Sequence, residues 1–177
     1  MQRSLRPMGF QWLWQRSAEN SKFRYLDAAI GLNALTGTRL RPRLLEMGTS
    51  GGLNLRCDRY RYEWPGGTWG NPLSPVRLES VFIDGAPFLT PVIRIIDRAG
   101  CDPSPVDITS DSGRLTLLSY TWADQVDRIR RLAAAIEIAR VVPCVIEKMH
   151  GAEWLEAHLR DPFAGAATVV FQSAVWQ

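Results

Sequence analysis

Three places along the chain bring together residue types that can do chemistry. The first is the run Glu46-Met47-Gly48-Thr49-Ser50-Gly51-Gly52, where an apolar segment ends in an acid and enters a glycine-rich turn. Glycines let a backbone approach a ligand closely. Free N–H groups at a helix start hydrogen-bond anionic or carboxylate groups. Glu46, Gly48, Thr49, Ser50, Gly51, Gly52 and Asn54 are therefore the candidate binding residues, and the alternative is a purely structural strand-to-helix turn. The second place is Asp102 and Asp107, on either side of Pro103-Ser104-Pro105. A carboxylate there can accept from the paired hydroxyls of a ribose. Asp102 is the first choice for that role and Asp58 the second, against the reading that they cap turns. The third is Glu147, His150 and Glu153, which follow an expected strand and lie either near a ligand or in a surface loop.

Other chemistries find less support. No Ser/His/Asp or Cys/His set falls into a recognisable motif, and no catalytic base can be named. His158 is expected on the solvent face of a helix. Asp102 and Asp107 suit hard metals by ligand type, but no spacing matches a metal-binding loop. Cys57, Cys101 and Cys144 are widely spaced and contain no C-x-x-C, which argues against a disulfide framework and a zinc site. Cys144 is expected in a buried strand and inert.

The elements that must position these residues read as follows. Helical spacing of Phe23, Leu26, Ala29, Ile30 and Leu35 predicts a helix over 21–35. Residues 44–47 form a short buried strand, and a helical stretch opens from the turn over 51–58. Tyr60, Tyr62 and Trp64 then alternate with Arg59, Arg61 and Glu63, as on a strand, and Thr68 and Trp69 start its return. This Tyr/Trp-rich insert spans 59–82, with a further strand over 76–82. It is either a hairpin covering the core or an aromatic lid over a ligand. A short helix is expected over 91–99 and another over 115–120. Thr121 to Asp124 resembles a capping box that opens a helix to residue 140, with Val126, Ile129, Leu132, Ala133, Ile136 and Ala139 inward. A strand over 141–146, a helix over 152–159 and a strand over 168–171 complete the pattern. Short apolar strands alternating with helices predict an α/β, Rossmann-like fold with a mostly parallel sheet and flanking helices.

Composition bounds the rest. At 177 residues and 46% hydrophobic, one globular domain is expected over 21–177, preceded by a poorly patterned basic arm over 1–20. No apolar run reaches the length of roughly 18 residues that a membrane span needs, and there is no signal-peptide core. A cytoplasmic location follows as the expectation. The net charge is +3. Its excess is concentrated early, in Arg3, Arg6, Arg16, Lys22, Arg24, Arg39, Arg41 and Arg43 against Glu19 and Asp27. With Trp12 and Trp14 that arm is either a solvated flank or a nucleic-acid contact.

The dinucleotide pattern G-x-G-x-x-G is not matched, since Ser50 and Asn54 stand where glycine is needed. The run resembles instead the first motif of S-adenosylmethionine-dependent methyltransferases, E/D-x-G-x-G-x-G. Glu46, Gly48 and Gly52 match it, and Ser50 replaces the middle glycine. That resemblance implies S-adenosylmethionine as cofactor, with 48–52 against its amino-acid and sugar portions and Glu46 helping indirectly.

The longer stretch "EMGTSGGLNLRCDRYRYEWPGGTWGNPLSPVRL" resembles an uncharacterised bacterial family, domain of unknown function 2332. The resemblance resumes at "RAGCDPSPVDIT", "LLSYTWADQVDRIRRLAAAI", "AEWLEAHL" and "ATVVFQSAVWQ", and covers the chain from about residue 20 to 177. It implies a methyltransferase-type fold but supplies neither a reaction nor a methyl acceptor. The family usually has histidine where Gln172 stands, and a small or acidic residue at His150. Gln172 cannot act as a base near neutral pH. The chain also stops after the expected fourth strand, so an incomplete sheet is expected at the C-terminus. A non-enzymatic remnant or interaction module is the alternative function.

Overall fold

Leu44 and Leu45 have no solvent exposure, yet they belong to different hydrophobic clusters. Adjacent residues of a strand point to opposite faces, so the strand carrying them is covered on both sides. Full burial stabilises the fold by roughly 2–3 kcal/mol for each leucine. A computed structural model describes residues 40–79, 93–161 and 163–172.

In chain order the elements are β1 (Arg41–Met47), a 3-10 helix (Leu53–Arg59), β2 (Arg61–Trp64), β3 (Gly67–Gly70), β4 (Arg77–Glu79), β5 (Asp97–Asp102), α1 (Asp111–Ser119), α2 (Val126–Val141), β6 (Val145–Lys148), α3 (Gly151–Leu159) and β7 (Ala166–Gln172). β1 pairs in parallel with β5 on one side and β7 on the other, and β6 adds in parallel to β5. The sheet order is β6-β5-β1-β7. A second sheet, β3-β2-β4, joins an antiparallel hairpin to a parallel strand.

One face of the main sheet packs Leu45, Ala99 and Cys101 against Trp154 of α3. The other packs Leu44 and Phe171 against Leu55 and Cys57 of the 3-10 helix, the small sheet and Ala135 of α2. A third cluster, Ile108, Leu117, Ile136 and Ala139, joins α1 to α2. The expectation of an α/β protein with a parallel sheet and flanking helices is borne out. Among the described residues no helix is long and apolar enough to cross a membrane.

Local chemistry sets the helix ends. The Ser110 hydroxyl accepts from the Gly113 N–H at 3.0 Å, which caps α1. Val142, in extended conformation, ends α2 just before Pro143, as a residue preceding proline tends to do.

Several sequence expectations need correction. No helix forms over the described part of 91–99. Residues 93–96 lack regular structure, and Asp97–Asp102 is strand β5. Thr121 to Asp124 is not a capping box. The Thr121 N–H donates to Leu118 O, Gln125 is the N-cap, and Val126 is 47% exposed rather than inward. Val141 still belongs to α2, so Cys144 precedes β6 and is half-buried. The stretch after the turn is a 3-10 helix that starts at Leu53. The expected helix over 21–35, the basic arm over 1–20 and the end of the 76–82 strand lie outside the described residues.

Candidate functional site

The glycine run leaves the carboxyl end of β1. Gly48 and Gly52 adopt φ of 68° and 71°, and Ser50 between them has φ 52°. All three are left-handed, which favours glycine; at Ser50 the conformation costs on the order of 1 kcal/mol. Gly51 and Gly52 also have packing reasons. A Cβ on Gly51 would lie 2.8 Å from Ile108 Cγ2, and one on Gly52 2.6 Å from Arg56 Nη1.

The turn is tied down by its own backbone. Gly48 and Thr49 N–H both donate to Cys101 O, at 2.8 and 3.1 Å. Gly52 N–H donates to Thr49 O at 2.8 Å, and Val106 N–H to Ser50 O at 3.3 Å. Ser50 N–H donates to Asp102 Oδ2 at 2.8 Å. Glu46 has no exposed surface. Its carboxylate accepts from Thr49 Oγ1 at 2.6 Å and Asn54 Nδ2 at 2.7 Å. Glu46 therefore shapes the turn from beneath, with Thr49 and Asn54 as its contacts.

Asp102 ends β5, next to the turn. Its second oxygen, Oδ1, accepts from Ser104 N–H at 2.8 Å. Each carboxylate oxygen has thus one backbone donor and a further lone pair. The other aspartates are engaged elsewhere. Asp58 accepts from Arg98 Nη1 and Nη2, at 2.9 and 3.2 Å, and pairs with Arg59 at 3.2 Å. Asp107 Oδ1 accepts from the Thr109 hydroxyl and N–H, and these bonds hold its carboxyl below the usual range.

Sheet register collects more residues at the same end. Asp102 lies beside Lys148, and Met47 beside Gln172. Met149 N–H donates to Asp102 O at 3.2 Å. His150 is exposed and caps α3 without a side-chain hydrogen bond. A Cβ on Gly151 would lie 3.1 Å from Met47 Sδ, so α3 begins against the end of β1. The strand ends thus gather the turn, Asp102, Lys148, His150 and Gln172. Glu153 is exposed on the first turn of α3.

His158 is not the solvent-face residue its sequence suggests. Its ring lies 4.2 Å from that of Trp154, with Nδ1 3.0 Å from Trp154 O and Nε2 3.3 Å from Glu147 Oε1. Glu147 Oε1 also accepts from the Trp154 indole at 2.7 Å. Both imidazole nitrogens are occupied, which suits a positioned structural ring more than a proton shuttle. A hollow of about 340 Å³ lined by Arg43, Ala157, His158, Asp161 and Phe163 lies toward the start of β1, away from the turn.

Three rings of the aromatic insert, those of Tyr60, Tyr62 and Trp69, belong to the core, and Trp64 is partly buried against it. Tyr60 and Tyr62 have no exposure, and Trp69 has 6%. The tyrosine hydroxyls donate to Leu53 O at 2.6 Å and Cys57 O at 3.0 Å. The hairpin reading holds for these rings; they do not present their faces to a ligand. Among the described residues no three His, Cys, Asp or Glu side chains are grouped to hold a metal.

Sequence reasoning missed Arg56. Its guanidinium, 2% exposed, donates to Gly52 O at 2.7 Å, Ala139 O at 3.2 Å and Val142 O at 2.9 Å. It fastens the glycine turn to the C-terminal carbonyls of α2.

The fold and turn define an α/β domain in which a glycine-rich turn follows a strand paired on both sides. Within that class, the chain belongs to a bacterial family described as an uncharacterized protein conserved in bacteria (DUF2332), which matches residues 10–177. No curated protein and no solved structure matches it.

Proposed function

We propose that this protein binds S-adenosylmethionine at the carboxyl ends of β1 and β5, and that its sheet is Rossmann-like, of methyltransferase type. The strand order carries the reading. The chain moves outward from β1 to β5 and β6, then returns to the opposite side of β1 as β7. In open α/β sheets, ligands bind beyond the strand carboxyl ends where that reversal occurs. The glycine turn leaves β1 at this point, and Asp102 stands beside it with lone pairs suited to ribose hydroxyls.

The bound cofactor would supply an activated methyl group. The protein's part would be to hold that group in line with an acceptor. In this reading Gly48, Ser50 and Asp102 meet the cofactor, and Glu46, Thr49 and Asn54 fix the turn.

Calorimetric titration of the full chain with S-adenosylhomocysteine tests the proposal. Saturable one-site binding is expected, with an accompanying stabilisation of about 2.7 kcal/mol at a hundred times the dissociation constant. Asp102→Asn should weaken binding while keeping a cooperative melt. No heat and no shift of the melt would sink the reading. Gly48→Val is the poorer probe, because a φ of 68° makes it a test of folding as much as of binding.

A further inference from the structure

The run Gly48-Thr49-Ser50-Gly51-Gly52 also spells G-x-S-x-G. That pattern marks a nucleophilic serine where a strand turns sharply into a helix. Sequence alone leaves it without a base, because neither histidine lies near it in the chain. The fold supplies the context. Ser50 stands between β1, the strand bonded on both sides, and the 3-10 helix. Among the described residues it is the one non-glycine with positive φ, 52°. A purely structural turn would be better served by glycine, which adopts that φ without strain. Of the Ser50 polar atoms, the backbone N–H and C=O are engaged, and the hydroxyl has no partner among the described residues.

A second observation points to a ligand. Neither the Gly51 nor the Leu53 N–H finds an acceptor among the described residues, although Gly51 is buried. Buried N–H groups without a partner are rare. In hydrolases with this turn, the N–H of the residue after the serine receives the oxyanion of the substrate. Ser50, Asp102 and His150 also follow the chain order Ser, Asp, His that such enzymes carry. Asp102 accepts from the Ser50 N–H and keeps a lone pair on each oxygen. His150 follows Met149, whose N–H donates to Asp102 O, and its exposed ring makes no capping bond to α3.

We infer that Ser50 is the nucleophile of an acyl-ester hydrolase, with His150 as its base, Asp102 orienting His150, and the Gly51 N–H receiving the oxyanion. Ser50 Oγ bonds the ester carbonyl carbon while His150 takes its proton. The carbonyl π electrons move onto the oxygen and return as the alkoxide leaves, protonated by His150. Water then repeats the sequence on the acyl-serine, releasing the carboxylic acid and restoring Ser50. The inference does not rest on the cofactor reading, although it concerns the same turn.

The experiment treats the full chain with a fluorophosphonate, which forms an O–P bond with an activated serine and expels fluoride. One adduct on Ser50 is expected by mass spectrometry, together with hydrolysis of p-nitrophenyl acetate. Ser50→Gly, at ease with a φ of 52°, should fold and lose both. His150→Ala should keep its melt and slow labelling roughly a hundredfold or more. No adduct on a chain that melts cooperatively would overturn the inference, and so would hydrolysis that survives in Ser50→Gly. Equal labelling in His150→Ala would overturn His150 as the base. Saturable binding of S-adenosylhomocysteine without labelling would leave the cofactor reading standing and this one refuted.

Discussion

Arg56 shows what a single residue can do when buried. Burial lowers the pKa of its guanidinium, and three carbonyl partners compensate in place of a carboxylate. Arg56→Met would keep the volume but take the guanidinium from the Ala139 and Val142 carbonyls, leaving Gly52 O only its bond from Leu55 N–H, at a cost of about 2–3 kcal/mol. Urea denaturation measures this, and an unmoved midpoint would mean that water replaces the guanidinium. The thiols offer a second test. Burial raises the pKa of Cys57, Cys101 and Cys144, so little thiolate forms near neutral pH. Iodoacetamide is expected to label the denatured chain but scarcely the native one; rapid native labelling seen by mass spectrometry would contradict this burial. A third concerns pH. Glu63 is held below the ordinary carboxylate range by hydrogen bonds from Arg77 and Arg61. Its contribution is therefore present above the unfolded pKa and lost as pH falls through the folded one. Glu63→Gln should flatten the acid limb of a melting-temperature profile, and an identical limb would show the pairs to be inert. The tight turn after β1 was legible from its glycines. Arg56 was not, because two of its three acceptors, Ala139 O and Val142 O, lie at the remote C-terminal end of α2 and nothing local to Leu55 and Cys57 marks it as buried.

At the scale of elements, α1 carries a glycine that ordinary propensity would replace. Alanine normally gains about 1 kcal/mol over glycine inside a helix. A Cβ on Gly113, however, would overlap Asp107 O. Gly113→Ala is expected to lower the melting temperature, and a rise would show that the 107–110 turn yields easily. The same scale explains why β5 was misread. Val92, Ile95 and Ile96 have helical spacing, whereas the strand itself reads DRAGCD. Its charges are absorbed by remote partners: Asp97 by Arg43 at 2.9 Å, and Arg98 by Asp58 at 2.9 Å. Periodicity sees neighbours along the chain and not these pairs. Residues 44–47 of β1 and the apolar run of β7 were legible without such partners, whereas Arg41 to Arg43, which open β1, were not. The Thr121 to Asp124 segment misled for a related reason: Thr121 is 8% exposed and closes α1, so it does not open the next helix.

For the whole molecule, burial predicts an order of local stability. β1 is bonded on both sides and carries Leu44, Leu45 and Glu46 without exposure. β6 is bonded to β5 alone among the described strands, and Val145 is 62% exposed. Amide exchange should therefore be slowest in 41–47 and clearly faster in 145–148. Equal rates would mean that the sheet opens only as a unit. The parallel register has another consequence. Arg43 pairs with Asp97, and Arg41 with Ala166. The central strand is thus made first, and each neighbour arrives only after long stretches of further synthesis. Until then it is an apolar strand with two open edges, the condition that invites pairing with foreign chains. The hazard built into this topology falls on the nascent polypeptide at the ribosome, before the finished protein exists.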